Sequence, residues 1–279
     1  MLFFELCQKY LAWVKLHQES RTYDWYNNYI SMFLRHPDIA FKKPVDIKPY
    51  HVQEWIDSHE SWGDNYKGGA VVAIKRVFNW AIDQGYIDVN PIQRLKRPSS
   101  QPRKHYMKPE DYAAVLYHLD EKDPFYDLVR FVWLTGCRPQ EVRHIERRHV
   151  DLENERVIFP VRESKGKRSE RAFYMQHEAL DIVKYLTVKY PDGKLFRNSR
   201  GQPWTNYAIC GRFNRLSKQI GRKLFCYAAR HGFATDKLKK GYDHLTVAGQ
   251  MGHRDGSMLG KVYSHVHEEA DHLKKMLRD

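Results

Sequence analysis

The amino-acid sequence predicts a mainly α-helical fold with a small β-hairpin or sheet insert, arranged in two domains. Apolar residues recur at helical spacing along most of the 279 residues, as is typical of amphipathic helices. Two short runs, RVIFP (156–160) and ERAFYM (170–175), have the composition of strands. A stretch rich in proline, serine and basic residues at 98–105 interrupts the helical pattern and predicts a linker.

The first domain, residues 1–97, is expected to contain four helices. They are predicted at 2–17, from Ser20 or Thr22 to about His36, at 49–59 and at 65–84. Ser20 or Thr22 is suited by residue type to cap the second helix. In the fourth helix Val71, Ile74 and Val77 fall on one face. Gly85 follows as a stop signal.

The second domain, residues 106–279, is expected to be helical on both sides of the β insert. Helices are predicted near 109–120, 124–135, 177–189, 204–220, 227–240, 243–251, 255–264 and 267–278. Gly136 closes the second of these, and Pro139 stands where another helix can start. The polar segment VRESKGKRS joins the two predicted strands as a long hairpin tip.

The composition favours a globular protein without a membrane span. Hydrophobic residues make up 42% and aromatic residues 14% of the chain, which excludes wholesale disorder. No apolar run approaches the roughly eighteen residues needed to cross a bilayer. The N-terminal MLFFELCQKY is interrupted by Glu5 too early for a signal peptide. With the start taken as intact, we expect a cytoplasmic location.

Neither cysteines nor histidines form a pattern typical of a metal site. No C-x-x-C pair occurs among the four cysteines, which favours buried reduced thiols. His265 and His267 lack an acidic or thiol partner at ligand spacing, so a solvated helix face is favoured over a metal pair. The sequence also lacks a glycine-rich phosphate-binding loop and a carboxylate cluster for two metals. We therefore expect no metal and no cofactor.

The positive charge is concentrated in the second part of the chain. The net charge is +13. Residues 1–97 carry 13 basic and 11 acidic groups, whereas residues 98–279 carry 34 and 23. Such an excess raises the local concentration of a polyanion and is typical of nucleic-acid binding. A merely soluble basic surface is the alternative.

Two local patterns in the first part of the second domain present basic residues at chain turns. TGCRPQEV places Arg138 at a helix start directly after a glycine break. SKGKRSER places Lys165 and Lys167 at the hairpin tip. Taken singly, each pattern is a weak signal, because a structural ion pair or a solvated lysine is the commoner explanation.

Two further patterns follow near the end of the chain. YAARHGFAT places Tyr227 and Arg230 three residues apart, on one face of a helix. MGHRDGSMLGKVYSH carries His253 and, ten residues later, Tyr263. Singly these are also weak signals, since helical tyrosines and arginines commonly serve packing.

In this order, the four patterns resemble the tyrosine recombinase family, the phage-integrase-like enzymes that cut and rejoin DNA. The strongest matches are TGCRPQE, RHGFATD, QMGHRDGSM and VYSH, and the resemblance covers essentially the whole chain. It implies a core-binding domain and a catalytic domain that close around a duplex as a clamp. It also implies a 3′-phosphotyrosyl intermediate formed without ATP or metal, because cutting and rejoining are isoenergetic.

Carried over residue by residue, the resemblance implies a phosphate-binding set. Arg138 and Arg230 match the two family arginines, whose planar, permanently charged forks suit a phosphate. Glu141 matches the acidic residue that orients the first arginine. His253 matches the histidine of the Gly-His motif. The family usually has histidine where this chain has Tyr227, which can still donate a hydrogen bond to a phosphate oxygen.

The resemblance also implies the groups that break and form bonds. Tyr263 matches the nucleophile, one residue further from the histidine than the commonest family spacing. Lys165 best matches the hairpin lysine that protonates the leaving oxygen, and Lys167 is the alternative.

Further basic residues are candidates for positioning the duplex through its phosphates. They are Arg143, Arg147, Arg148, Lys167, Arg212 and Arg215. The resemblance implies a homotetramer on two DNA duplexes. Val266, Ala270, Leu273 and Leu277 form a helical stripe that would dock either on a neighbouring subunit or on the chain's own domain.

Two other functions use similar residues. A type IB topoisomerase-like enzyme would relax supercoils as a monomer without site preference, but the helical front domain argues against it. A DNA-binding protein of the same fold with reduced or lost catalysis is the other alternative. The combination of Arg138, Arg230, His253 and Tyr263 argues against lost catalysis.

Overall fold

The computed structural model describes residues 1–99, 105–164 and 166–253. The chain divides into two units, Met1–Pro102 and Arg103–Asp279, and each has its own hydrophobic core. The boundary falls inside the stretch 98–105, whose role as a linker stays a prediction. The clamp arrangement likewise stays a prediction.

The first unit is a set of helices around an aromatic core. Among residues 1–99 these are α1 (Phe3–His17), α2 (Ser20–Leu34), α3 (Pro49–Asp57) and α4 (Asp64–Asp83), with a 3₁₀ turn at Pro44–Asp46. Phe3 stacks on Phe78 with 5.2 Å between ring centroids, and neither has exposed surface. Because burying such a side chain contributes about 2–3 kcal/mol, the pair ties α1 firmly to α4.

The start of α2 differs from the predicted one. The prediction that Ser20 or Thr22 caps this helix is wrong, because Glu19 holds the cap position and Ser20 is already the first helical residue. The backbone carbonyl of Glu19 accepts from the N–H groups of Thr22 and Tyr23 at 2.8 and 3.1 Å. Residue type alone could not decide which residue precedes the first turn.

The second unit carries most of the helices. Its described residues form α5 (Pro109–Tyr117), α6 (Pro124–Thr135), α7 (Pro139–His144), α8 (His177–Lys189), α9 (Asn206–Ile220), α10 (Cys226–Lys239) and α11 (His244–Met251). A 3₁₀ turn covers Arg147–His149. The helices predicted at 255–264 and 267–278 lie outside the described residues.

A small antiparallel sheet completes this unit. Its strands are β1 (Val150–Asp151), β2 (Arg156–Phe159) and β3 (Arg171–Tyr174), in the order β1-β2-β3. Val157 is paired with Phe173, and both are fully buried. The predicted fold class, mainly α with a small β-hairpin or sheet insert, is confirmed. The two-residue strand β1 is an addition, too short to give a sequence pattern.

Helix α6 lies at the centre of the second unit, in contact with α8 and α10. Asp123 caps its start by accepting from the Phe125 N–H at 2.9 Å. Phe131, fully buried, lies 5.0 Å from Phe196 between ring centroids. The helix ends at Gly136. Because α6 is packed in the core, the position of the turn that follows Gly136 is fixed.

Among the residues that the structure describes, no helix is long and apolar enough to cross a membrane. The cytoplasmic location expected from the sequence stays a prediction.

Candidate active site

Arg138 stands between two helices because the chain turns sharply there. Gly136 ends α6 in the left-handed conformation, with φ of 65°, and Pro139 begins α7. The backbone N–H and the Nη1 of Arg138 both donate to Glu141, at 2.7 and 2.6 Å. Its Nη2 donates to the Gly252 carbonyl oxygen at 2.6 Å. The guanidinium is therefore held on two sides.

Glu141 is an almost buried carboxylate surrounded by guanidinium groups. Its side chain is 11% exposed and also accepts from the Nε of Arg171 at 3.0 Å. Burial acts to raise the pKa of Glu141, but Arg171 and Arg138 outweigh it and hold the pKa below its usual value. The carboxylate therefore stays charged at neutral pH and balances part of the positive charge around it.

Arg230 projects from α10 into the interior and has no exposed surface. Its Nη1 donates to the Gly136 carbonyl oxygen at 2.6 Å, and its Nη2 donates to that of Met251 at 2.7 Å. Burial, followed by the charge of Arg138, lowers the pKa of Arg230. An arginine remains protonated in proteins nonetheless, so the site contains a permanent buried cation.

His253 lies directly beside Arg230 and is neutral. Its Nε2 is 3.0 Å from the Nη2 of Arg230. A guanidinium can only donate, so this nitrogen accepts and the ring proton belongs on Nδ1. Burial, followed by the charge of Arg230, lowers the pKa of His253 to about 4, which agrees with this tautomer.

Two buried donors in this group have no hydrogen-bond partner within residues 1–99, 105–164 and 166–253. They are the Nε of Arg230 and the Nδ1 of His253. A buried donor without a partner costs about 1–3 kcal/mol. Both atoms carry hydrogen, so the ligand that would satisfy them is an acceptor, and an anionic oxygen suits the surrounding positive charge best.

Tyr227 lies at the start of the helix that carries Arg230. It is 42% exposed, and the guanidinium of Arg230 lies 5.9 Å from the centre of its ring. The ring of His231 packs against Tyr227 edge to face at 5.0 Å. The phenol is thus presented at the surface next to a buried cation.

The structure brings together Arg138, Glu141, Arg230 and His253, which are far apart in sequence. Lys165 and Tyr263 lie outside the described residues. Lys167 is exposed, with φ of 48°.

The other arginines predicted to contact DNA differ in the ion pairs and hydrogen bonds that their side chains make within the protein. Arg148 is tied to Glu146 and Glu163 at 2.6 and 2.8 Å, and Arg212 is paired with Asp123. The other three predicted contacts are Arg143, Arg147 and Arg215. Arg143 donates to the Pro139 carbonyl at 3.3 Å and Arg147 to the Val150 carbonyl at 3.1 Å, whereas Arg215 is exposed on α9. Their roles in binding stay predictions.

Sequence reasoning missed Arg171, a buried arginine of β3. It donates to Glu141 at 3.0 Å and to the Gln250 carbonyl at 2.8 Å. The available signal was the strand alternation, which places Arg171 on the same inward face as Phe173. A charged residue in that position is uncommon without a buried partner.

No three His, Cys, Asp or Glu side chains come together as a possible metal site in the part of the chain that the structure describes. That the protein needs no metal or cofactor stays a prediction.

Comparison with known proteins places the second unit in a family. The phage integrase family matches residues 105–270. A probable integrase/recombinase protein of Methanocaldococcus jannaschii is 30% identical over 166 residues, which cover 54% of this chain and 49% of that protein. The tyrosine recombinase XerA of Saccharolobus solfataricus is 24% identical, over 82% of this chain and 78% of that protein. The first match thus spans about half of its relative's length.

Solved structures share the fold across both units. The Tn1549 transposon integrase in complex with transposon right end DNA has a TM-score of 0.77 at 19% identity, over 94% of this chain and 95% of that one. A lambda integrase tetramer bound to a Holliday junction has a TM-score of 0.75 at 14% identity, over 92% and 78%.

Proposed function

Because the chain belongs to the phage integrase family, we propose that it is a site-specific recombinase that cuts and rejoins double-stranded DNA through Tyr263. One observation carries the proposal. Arg138 and Arg230 donate to the carbonyl oxygens of the adjacent residues Gly252 and Met251, directly before His253. Two permanent cations and a neutral histidine are thereby assembled at one place, as an anionic phosphodiester requires.

The scissile phosphate binds to this cluster. As the phosphorus becomes five-coordinate, its non-bridging oxygens gain negative charge, and fixed donors aimed at that charge are usually the largest catalytic contribution. The unpartnered donors Arg230 Nε and His253 Nδ1 support this assignment, because phosphate oxygens would satisfy both. Since Arg230 has no exposed surface, DNA reaches it only after neighbouring groups move aside.

Cleavage is a transfer of the phosphoryl group to the protein. The Tyr263 oxygen gives its proton to solvent water and forms a bond to phosphorus, while the bond between phosphorus and the 5′ oxygen breaks. Lys165 donates the proton that the leaving 5′ oxygen takes up, with Lys167 as the alternative donor. The products are a 3′-phosphotyrosyl link and a free 5′ hydroxyl.

Rejoining reverses these steps with a 5′ hydroxyl from either strand. That hydroxyl returns its proton to the lysine and attacks the phosphotyrosyl phosphorus, while the bond between phosphorus and the Tyr263 oxygen breaks and that oxygen takes up a proton from solvent water. One phosphodiester is exchanged for another, so no external energy source is needed. Exchange between duplexes needs several copies, and we propose a homotetramer on two duplexes, for which the lambda integrase tetramer bound to a Holliday junction is the precedent.

A combined binding and cleavage assay tests the proposal. The probe is a nicked duplex from the DNA that flanks the gene, compared with a scrambled duplex of equal length. We expect a covalent adduct on the flanking sequence alone. Adduct on both duplexes would indicate a topoisomerase-like activity, and a shifted band without adduct would indicate binding without catalysis. Either result would overturn the proposal.

A further inference from the structure

Three arginines donate to the end of a single helix. The last carbonyl oxygens of a helix lack partners inside the helix, and in α11 that of Gly249 is met by the N–H of the capping Gly252, at 2.9 Å. Arg171 donates to Gln250 at 2.8 Å and lies 3.5 Å from the Gly249 oxygen. Arg230 donates to the Met251 oxygen and Arg138 to the Gly252 oxygen. Positive charge at a helix C-terminus is favourable.

Arg171 differs from the other two arginines in its surroundings. It lies on β3, with its guanidinium over the Phe173 ring at 5.1 Å, and its side chain is 8% exposed. Its Nη1 also donates to the Ala172 carbonyl at 2.5 Å. All three guanidinium nitrogens of Arg171 thus donate to Glu141 or to backbone carbonyl oxygens, whereas the Nε of Arg230 has no partner among the described residues. Arg171 is therefore placed to hold other groups rather than to bind DNA.

The same arginine is joined to the residue that holds Arg138. Glu141 accepts from Arg171 Nε and from Arg138 Nη1 on the same oxygen, at 3.0 and 2.6 Å. Arg171 therefore connects strand β3, the start of α7 and the last turn of α11. Gly252 and His253 follow α11 directly.

Gln250 makes a second bridge between the same elements. Its Oε1 accepts from the Tyr174 N–H at 3.0 Å. Its Nε2 donates to the carbonyl oxygens of Tyr174 and Thr135, at 2.8 and 3.0 Å. The end of α11 is thereby fixed to the end of β3 and to the end of α6.

We propose that Arg171, supported by Gln250, is a positioning residue that fixes Arg138 and His253 relative to each other before DNA binds. Its catalytic consequence rests on the proposed function, whereas its effect on the order of residues 249–253 does not. A lysine keeps the charge but offers a compact ammonium in place of a planar fork. It cannot span Glu141 and the Gln250 carbonyl in the same way.

The test compares Arg171→Lys with Arg156→Lys, a matched control in the same sheet. Arg156 pairs with Asp151 at 2.9 Å instead of with Glu141. Gln250→Ala serves as a second variant that leaves the charge unchanged. For each variant we would measure the cleavage rate at saturating DNA, the Kd for DNA, the melting temperature, and hydrogen exchange along the second unit.

We expect Arg171→Lys to cleave about 30- to 100-fold more slowly, since a loosened catalytic geometry is costly, with Kd within about threefold of the wild type. Amide exchange should accelerate at residues 249–253 and not elsewhere. Gln250→Ala should show the same pattern more weakly, and Arg156→Lys should match the wild type.

Two results would overturn the inference. One is unchanged exchange at residues 249–253 in both Arg171→Lys and Gln250→Ala. The other is a large fall in melting temperature with faster exchange across the whole unit, which would make Arg171 a general structural residue. If the wild type itself forms no adduct, the proposed function fails, and the exchange data still decide the positioning role.

Discussion

Burial and charge oppose each other at Arg230, a charged side chain with no exposed surface. A buried ion is unfavourable unless it is paired or hydrogen-bonded. Here two carbonyl oxygens and the neutral ring of His253 supply those bonds. The carboxylate of Glu141, whose charge also acts on Arg230, is bonded to the other two arginines. The group as a whole keeps an excess of positive charge, which a phosphate would balance.

Stability is expected to fall as the pH drops below neutral, through His253 and His231. Burial, followed by the charge of Arg230, lowers both pKa values from 6.5 to about 4. At a pH between about 4 and 6.5 the unfolded chain binds more protons than the folded chain, so the free energy of unfolding rises with pH. The stability that depends on these two histidines being neutral is fully present above about pH 6.5 and is lost as the pH falls toward 4.

Melting temperatures of wild type and His231→Gln, measured from about pH 4.5 to pH 8, test this expectation. The variant should lose part of the acid-dependent decrease that the wild type shows. An identical pH dependence in the two proteins would contradict the assignment of His231.

Tyr227→Phe is expected to slow cleavage about tenfold while the Kd for DNA stays unchanged. The phenol is exposed beside Arg230 and can donate to a phosphate oxygen, and the loss of one such hydrogen bond raises the barrier by about 1–2 kcal/mol. Tyr227→His keeps a donor and should be tolerated. Single-turnover cleavage measures the effect, and a Phe variant as fast as the wild type would mean that Tyr227 only packs.

At the scale of elements, α11 and the turn after it organise the site. Helix α11 begins at His244 behind the capping side chain of Asp243 and ends at Gly252, whose φ is 68°. A Cβ on Gly252 would lie 2.6 Å from the Nε of Arg171. Glycine is thus required both by the left-handed backbone and by the closeness of Arg171.

Gly252→Ala is expected to destabilise the protein more than Gly221→Ala. Both glycines end helices with left-handed backbone, φ 68° and 73°, but a Cβ on Gly221 has no neighbour within 4 Å. Gly221→Ala should cost about 1 kcal/mol for backbone strain alone. Gly252→Ala should cost more and also slow cleavage, because Arg171 must move. Urea unfolding checks the difference, and equal costs would contradict the contact argument.

The helices were predictable because their periodicity and stop signals are local. Helix α6 begins and ends at the predicted residues, with Gly136 as its C-cap. The cluster of Arg138, Glu141, Arg230 and His253 was implied by family resemblance, since nothing local brings these residues together. The contacts of Arg171 and Gln250 join elements about 80 residues apart, and sequence periodicity carries no information on such pairing.

At the scale of the whole molecule, the excess charge of residues 98–279 is expected to make DNA binding strongly dependent on salt. Not every basic residue is expected to contribute equally to DNA binding. Arg212 is paired with Asp123, the cap of α6, whereas Arg215 is exposed on the same helix. A comparison of the two arginines therefore separates a structural role from the phosphate contact predicted for Arg215.

Arg215→Ala is expected to reduce the slope of log Kd against log salt by about one and to leave unfolding unchanged. Arg212→Ala should instead lower the melting temperature, because Asp123 loses its partner and the Phe125 ring loses the guanidinium that lies 4.9 Å away. Salt titrations and thermal unfolding of both variants check this. If the salt slope is unchanged in both variants, the phosphate contact proposed for α9 is contradicted.

Identification of the amino acid joined to DNA tests the central claim most directly. The adduct formed on the nicked flanking duplex would be digested with protease and nuclease, and the modified peptide sequenced by mass spectrometry, with Tyr263→Phe in parallel. We expect a phosphotyrosine at Tyr263 in the wild type and no adduct in the variant. A phosphate on another residue, or an adduct that persists in Tyr263→Phe, would contradict the mechanism.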